Sequence, residues 1–146
     1  MTGKYDHNLD GKGRLILPSK LRPELGDVFY MAPGYYEGAN GALEANLTLY
    51  PMAVWNRICQ QLAEMPASES NEADIFFSTA ERCEPDSQNR ILIPAELRAY
   101  AGLKKAVVVS GCNDRAKIWD AAVWERTNGI TLTASNIASM MKRLRL

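Results

Sequence analysis

A stretch of thirteen residues near the start of the chain recurs further along it. Residues 10–22 read Asp-Gly-Lys-Gly-Arg-Leu-Ile-Leu-Pro-Ser-Lys-Leu-Arg, and residues 86–98 read Asp-Ser-Gln-Asn-Arg-Ile-Leu-Ile-Pro-Ala-Glu-Leu-Arg. The Asp, the Arg, the Pro and the final Leu-Arg coincide at an offset of 76 residues, and three aliphatic residues follow the first Arg in both copies. Self-similarity at one offset indicates two copies of one supersecondary unit.

A second pair of matching segments lies downstream of the first. Leu-Tyr followed by Val-Trp within residues 49–55 parallels Ile-Trp followed by Val-Trp within residues 118–124, at an offset of 69 residues. The first copy therefore carries about seven extra residues between its two matching segments. Two matches in the same order indicate a duplication of the whole module.

Each copy begins with a turn, a short strand and a helix. Residues 10–13 place two glycines beside an aspartate, a composition that supplies positive φ angles easily. Residues 14–17 predict a strand that ends at the following proline. In the second copy we expect a helix over residues 95–101, closed by Gly102. In the first copy Pro23 falls inside the equivalent segment and predicts a shorter or bent helix.

A β-hairpin is predicted after each helix. In the second copy residues 106–110 and 116–119 flank a short loop rich in turn formers. In the first copy residues 28–31 and 47–50 flank a longer, glycine-rich loop over residues 33–46. The sequence assigns no role to that extended loop.

The remaining segments connect or follow the two modules. We predict modules over residues 5–53 and 81–124, a connecting helix and linker over 54–80, and a C-terminal helix within 125–146. The segment from Thr131 to the end is amphipathic, with basic residues near its end. Its apolar stripe predicts docking on the body of the protein or on a neighbouring subunit. The stripe consists of Ile137, Met140, Met141 and Leu144.

Several functional classes are excluded by composition and motif. Three widely spaced cysteines and the single His7 offer no clustered metal ligands. No nucleophile elbow, second histidine or phosphate-binding loop signature is present. We therefore expect no catalytic residue, no metal, no cofactor and no small-molecule substrate. The polar N-terminal residues and the short apolar runs predict a soluble, cytoplasmic protein without membrane contact.

The charge of the chain is balanced overall but uneven along it. The sequence has 17 basic and 17 acidic residues, so nucleic-acid binding would need a local patch. Residues 1–22 carry five basic and two acidic residues, whereas residues 86–98 carry two of each. Glycines flank Lys12, and Arg14 has the geometry to reach phosphate or a guanine edge. The first copy is therefore the better candidate for DNA contact.

An alternative explains the same aspartate and arginine. Because both recur in the two copies, Asp10 with Arg14 and Asp86 with Arg90 can be internal ion pairs that fix the turns. For Arg90 this alternative is favoured, whereas for Arg14, with its basic neighbours, DNA contact is favoured.

The segment from Tyr5 to Pro18, with its second copy over residues 86–94, closely resembles the MraZ family of bacterial regulators, relatives of the AbrB and SpoVT swapped-hairpin proteins. Residues 49–51 with Trp55, and the matching aromatic segment of the second copy, are also similar to that family. The resemblance implies an α+β fold. Two tandem β-α-β-β AbrB-like modules would interleave into an intramolecular pseudo-dimeric β-barrel with flanking helices.

The resemblance also implies a function and its site. Such proteins assemble as homo-oligomeric rings on tandem promoter repeats in double-stranded DNA. They act as nucleoid-associated regulators, usually repressors, of the division and cell-wall gene cluster. The Asp-x-x-x-Arg element is their DNA-contacting motif. The DNA-binding residues predicted here are Arg14, Lys12, Asp10, Gly13, Lys20, Arg22 and Arg90.

Two points stay open at the level of sequence. Lys20 and Arg22 face either DNA or a subunit interface. Asn89 stands where the family's second motif usually has glycine, but asparagine tolerates left-handed backbone and should preserve the turn.

The alternative function is an AbrB-like antitoxin or a non-DNA-binding interaction scaffold. The duplicated motif disfavours it, because such antitoxins usually carry one short module.

Overall fold

The computed structural model describes residues 1–38, 40–128 and 132–146. The strands are β1 (Lys4–Asn8), β2 (Arg14–Ile16), β3 (Phe29–Glu37), β4 (Leu43–Pro51), β5 (Glu81–Cys83), β6 (Arg90–Leu92), β7 (Ala106–Gly111) and β8 (Ala116–Asp120). The helices are α1 (Arg22–Leu25), α2 (Met52–Ala63), α3 (Ser70–Thr79), α4 (Ala95–Tyr100), α5 (Ala121–Asn128) and α6 (Ala134–Arg143), with a 3₁₀ helix at Ala67–Glu69.

The strands of the two modules interleave in one antiparallel sheet. Its order is β1-β7-β8-β4-β3-β5. The pairs β7–β8 and β3–β4 are hairpins within a module, whereas β1–β7, β8–β4 and β3–β5 join different modules. Because backbone N–H and C=O groups must be paired when buried, each module depends on the other for its ladders. The predicted α+β fold of two interleaved modules is confirmed.

The strands β2 and β6 form a separate two-stranded ribbon, which also joins the two modules. Leu15 pairs with Ile91 at its centre, and both side chains are buried. They belong to the same apolar core as Met31 and Ile118 of the six-stranded sheet. The ribbon and the sheet therefore enclose one core between them, as opposite walls of a barrel do, while β1 and β5 remain the ends of the sheet's pairing order.

The connecting segment covers the outer face of the sheet. Trp55 of α2 stacks on Tyr30 with ring centroids 4.6 Å apart, and on Phe76 of α3 at 5.8 Å. The duplication extends to this packing, because Trp55 contacts the aromatic ring of Tyr50 five residues earlier, as Trp124 contacts that of Trp119. The matched aromatic residues therefore hold equivalent helices against equivalent strands.

The first helix and the first hairpin differ in how well they were predicted. Helix α1 has four residues where α4 has six, and Pro23 lies in its first turn, where no N–H is needed. The prediction of a shorter first helix is confirmed. The prediction of an extended loop over residues 33–46 is wrong, because β3 continues to Glu37 and β4 begins at Leu43. Residue 39 lies outside the described residues.

The C-terminal segment forms α6, as the amphipathic pattern predicts. The side chain of Thr133 accepts a hydrogen bond from the Asn136 N–H and caps the helix. The start predicted at Thr131 lies outside the described residues. The apolar stripe remains largely exposed instead of docking on the body of its own chain.

Candidate nucleic-acid interface

The first turn, residues 10–13, is held together by the side chain of Asp10. Its Oδ1 atom accepts hydrogen bonds from the backbone N–H groups of Lys12 and Arg14, each at 2.9 Å. Its Oδ2 atom accepts one from Arg14 Nε at 2.6 Å. Gly13 has a φ of 79°, the left-handed region in which glycine is favoured. The ion pair considered as an alternative for Arg14 is therefore present.

The second turn, residues 86–89, repeats this geometry. Asp86 Oδ1 accepts hydrogen bonds from the N–H groups of Gln88 and Arg90 at 2.9 Å, and Oδ2 accepts one from Arg90 Nε at 2.8 Å. Asn89 has a φ of 61° and keeps the left-handed position of its glycine counterpart. The expectation that asparagine preserves this turn is confirmed.

These contacts stabilise the charged forms of both aspartates. The backbone hydrogen bond from Arg14, with further hydrogen bonds from the Arg14 side chain and the Lys12 backbone, lowers the pKa of Asp10 to about 2. The equivalent bonds from Arg90 and Gln88 lower the pKa of Asp86. Both turns therefore carry ionised aspartates throughout the physiological range.

The lowered pKa values predict a loss of stability in acid. An aspartate with a depressed pKa in the folded state stabilises the fold above its unfolded value, near 3.8 for Asp10, and loses this contribution as pH falls toward about 2. We expect the variant Asp10→Asn with Asp86→Asn to show a smaller fall in urea midpoint than the wild type between those pH values. Glu125→Gln, in an exposed residue outside the turns, is the control. An equal fall in both proteins would contradict the prediction.

The ribbon presents both arginines on one outer face. Arg14 pairs with Leu92 and Ile16 pairs with Arg90, so these four side chains lie opposite the buried pair at the ribbon's centre. Ile16 is 53% exposed and Leu92 is 55% exposed. Each arginine uses Nε for its aspartate, and its Nη atoms make no hydrogen bond to any residue that the structure describes. These terminal nitrogens are donors available to a ligand.

A third arginine crosses from the second module to the first turn. The guanidinium of Arg98, in α4, lies over Gly13, where a Cβ atom would come within 2.5 Å of Nη1. In the second turn its counterpart Arg22 donates from Nε to Asn89 Oδ1 at 2.7 Å and also bonds the carbonyl of Gly26. Gly13 thus leaves space for the guanidinium of Arg98 over the first turn. At the second turn, the side-chain amide of Asn89 instead binds the guanidinium of Arg22.

The surroundings of the first turn are strongly basic. A cavity of about 460 Å³ lies beside it. The cavity is lined by Leu9, Asp10, Gly11, Gly13, Arg98, Leu103, Lys104 and Lys105. Both lysines are exposed and form no salt bridge with the described residues. The pairing of β1 with β7 brings them here, because it continues into a hydrogen bond from Leu9 N–H to the Lys105 carbonyl at 2.8 Å.

The surroundings of the second turn contain acidic residues. A cavity of about 270 Å³ there is lined by three acidic and three basic residues, namely Glu81, Glu84, Asp86, Arg14, Arg82 and Arg90. The acidic side chains there come from β5 and the segment that follows it. Of the two turns, the first therefore has the more positive environment, in agreement with the charge pattern of the sequence.

The other basic residues predicted for the site are Lys12, Lys20 and Arg22, and they differ in exposure and in hydrogen-bond partners. Lys12 is exposed at the tip of the first turn, and Lys20 is exposed beside Ile16, with which it lines a shallow pocket. The donors of Arg22 contact Asn89, Asp27 and the carbonyl of Gly26, all in its own chain. Arg22 thus orients the second turn within its own chain.

Arg98, Lys104 and Lys105 were missed by the sequence reasoning. Arg98 matched Arg22 in the repeat but was not considered as a partner of the first turn. The lysine pair lies in the connection after α4 and was visible only as two adjacent cations. Nothing in the sequence indicated which distant turn they would join.

Other types of site have little support in the described residues. They contain no group of three or more metal-binding side chains, and none of their helices is long and apolar enough to span a bilayer. Burial raises the pKa of the Cys83 thiol to about 12, which keeps it neutral and unreactive.

Comparison with known proteins agrees with the repeat. A family model described as "MraZ protein, putative antitoxin-like" matches residues 1–75 and again residues 76–141. The chain is 41% identical to the transcriptional regulator MraZ of Halothermothrix orenii, over 84% of this chain and 82% of the relative. It is 36% identical to that of Acetivibrio thermocellus, over 97% and 96%, and 35% identical to that of Thermoanaerobacter pseudethanolicus, over 100% and 99%.

These relatives are named for a regulatory role and not for a reaction, which confirms the prediction that the chain is not an enzyme. The resemblance that the repeated motif suggested is confirmed along both halves. The chain therefore belongs to the MraZ family of transcriptional regulators.

Proposed function

We propose that this protein binds double-stranded DNA through the first turn and the outer face of the ribbon. The observation that carries the proposal is the set of cations gathered there from both modules. They are Lys12, Arg14, Arg90, Arg98, Lys104 and Lys105. Phosphate contacts supply most of the affinity of such surfaces, and arginine donors read guanine edges in the major groove. A two-stranded ribbon also has the width that this groove admits.

The ion pair at each turn is compatible with this role. Asp10 occupies only Nε of Arg14, fixes the plane of the guanidinium and leaves the Nη atoms free for two parallel hydrogen bonds. An arginine held in this way loses less conformational entropy on binding than a free one. Asp10 and Gly13 would act by shaping the turn, and Arg14 and Lys12 by contacting DNA.

Several copies acting together would give the affinity that one module lacks. The chain has no net charge, so one copy offers a small patch against an otherwise neutral surface. A homo-oligomeric ring would present this patch several times to tandem promoter repeats, and linkage multiplies the affinity. We propose such a ring acting as a repressor of the division and cell-wall gene cluster, cytoplasmic and nucleoid-associated. Its modules would span residues 5–53 and 81–124.

The antitoxin or scaffold function is the second candidate. The matched family description includes the words antitoxin-like, which keeps a partner protein in view. However, Lys12, Lys104 and Lys105 are exposed around the first turn, where a duplex would lie. A toxin gene next to this one, with no promoter binding by the purified protein, would favour the second candidate.

Titration of the chain's own upstream region tests the proposal. We expect the wild type to bind this DNA with an affinity that falls steeply as salt rises. Arg14→Ala should reduce the binding free energy by about 1–3 kcal/mol for each copy of the chain that contacts the DNA. The far-UV circular dichroism spectrum of the variant should match that of the wild type. Arg126→Ala removes the same charge at a residue paired with Glu44, away from the turns, and is the control. Equal binding by the wild type and Arg14→Ala would refute the assigned site.

A further inference from the structure

Lys117 of β8 is a cation on the outer face of the sheet, on the side away from the ribbon. Its strand neighbours Ala116 and Ile118 are buried in the core that the ribbon and the sheet enclose, so the side chain of Lys117 projects from the opposite face. It is half-buried, whereas every other lysine of the described residues is exposed. Its Nζ atom donates a hydrogen bond to the carbonyl of Tyr35 at 2.8 Å.

The ammonium group of Lys117 has no carboxylate partner among the described residues, whose lysines form a salt bridge only at Lys4. Glu37, at the end of β3, lines the same cavity as Lys117 but makes no ion pair with it. A half-buried lysine without a carboxylate partner is desolvated without compensation, which disfavours its charged form.

The cavity beside Lys117 has a volume of about 520 Å³. It lies between the β3–β4 hairpin and α3, and its lining includes the aromatic residues Tyr36, Tyr50 and Phe76. A cavity of this size, lined by aromatic residues with a few polar groups, is typical of small-molecule sites. A small reactant in this cavity would therefore lie next to the amine.

A second cation lies close to this amine. Arg115, two residues earlier in the chain, is held by a hydrogen bond from Nε to Asp114 at 2.8 Å, and its guanidinium lies 5.1 Å from the ring centroid of Tyr50. Burial lowers the pKa of Lys117; the nearby Cys112 opposes this effect and Arg115 adds to it. Desolvation and a neighbouring cation are the two features that activate a lysine as a nucleophile, because they favour its free amine.

We propose that Lys117 is a site of lysine acylation, with small acyl phosphates as the donors. The anionic phosphate of such a donor suits the cationic surroundings that Arg115 provides, and a small acyl group fits between the aromatic residues of the cavity. This site is separate from the surface proposed for DNA, because it lies on the other face of the sheet. Failure of either proposal leaves the other intact.

The transfer needs no group besides the donor and the lysine. The lone pair of neutral Nζ attacks the acyl carbon and forms a C–N bond, and the bond from that carbon to the phosphate oxygen breaks. Phosphate leaves with the electron pair of that bond, and one proton of the nitrogen passes to water. The amide that results keeps one N–H for the carbonyl of Tyr35 and removes the positive charge from its half-buried position.

Incubation of the full-length chain with acetyl phosphate, followed by peptide mass spectrometry, measures the rate of acetylation at each lysine. Near neutral pH, Lys117 should react faster than Lys20 by about fivefold or more. Lys20 is the internal control, because it is exposed and forms no salt bridge with the described residues. The ratio of the two rates should fall as pH rises, because the exposed amine then also loses its proton. Unfolding in urea should abolish the preference.

Lys117→Arg checks the assignment, because arginine keeps the positive charge but offers no amine. This variant should lose the fast acetylation while the rate at Lys20 stays that of the wild type. Three results would each overturn the proposal. They are a rate at Lys117 no higher than at Lys20 in the folded wild type, a preference that persists in urea, and a ratio that does not change with pH.

Discussion

Lys104→Glu with Lys105→Glu is expected to reduce affinity for tandem promoter repeats by about 100-fold, since two phosphate contacts become repulsions in every subunit. The fold should survive the change. In this region the backbone and not the lysine side chains makes the hydrogen bonds, from Lys104 N–H to Asp120 Oδ1 at 3.1 Å and from Leu9 N–H to the Lys105 carbonyl. Fluorescence anisotropy at several salt concentrations measures the loss, and the salt dependence should become shallower.

A variant of equal charge separates the local patch from the net charge of the chain. Arg57→Glu with Arg126→Glu makes the same change of charge at two residues outside the turns, paired with Asp114 and Glu44. It should lower affinity far less than the lysine variant. If both variants lose affinity equally, long-range charge alone drives binding, and the assignment of the lysines to the interface is wrong.

The lysines illustrate what a sequence alone could not provide. They lie more than ninety residues after the first turn and reach it only because β1 pairs with β7, so that Asn8 lies opposite Ala106. Which strand of the second module pairs with β1 is decided by the packing of the whole core. The repeat could indicate that two modules interleave, but not which side chains meet at their boundary.

The turns were predictable because their chemistry is local. An aspartate four residues before an arginine, with glycine or asparagine at the left-handed position, specifies the hydrogen bonds with little help from the rest of the fold. The same local reasoning ended the first strand before Pro18, and β2 ends at Ile16. It also explains why the first helix is short.

The long first hairpin shows where local reasoning misleads. Pro33 and Gly34 suggested a loop, yet both lie in β3. The pairing with β5 stops at Met31, so Pro33 has a strand neighbour on only one side and its missing N–H is tolerated. At position 34 a Cβ atom would come within 2.5 Å of Asn46 Oδ1, and glycine there allows the close approach of a neighbouring strand.

The separation of the ribbon's two faces makes a strong prediction about stability. Leu15→Ala is expected to lower the free energy of unfolding by about 2–5 kcal/mol, because the side chain is fully buried and its loss leaves a cavity. The adjacent variant Ile16→Ala should cost less than about 1 kcal/mol, because that side chain is 53% exposed on the outer face. Urea unfolding of both variants measures the difference.

The contrast between these neighbours also separates folding from DNA recognition. Leu15 pairs with Ile91 inside a ribbon only three residues long, which joins the modules, so its cavity should weaken the interlocking of both halves in one transition. Ile16 lies on the face that we assign to DNA, so its removal should change promoter affinity more than stability. Equal destabilisation by the two variants would mean that the outer face is covered, and the ribbon could not then be the surface that meets the duplex.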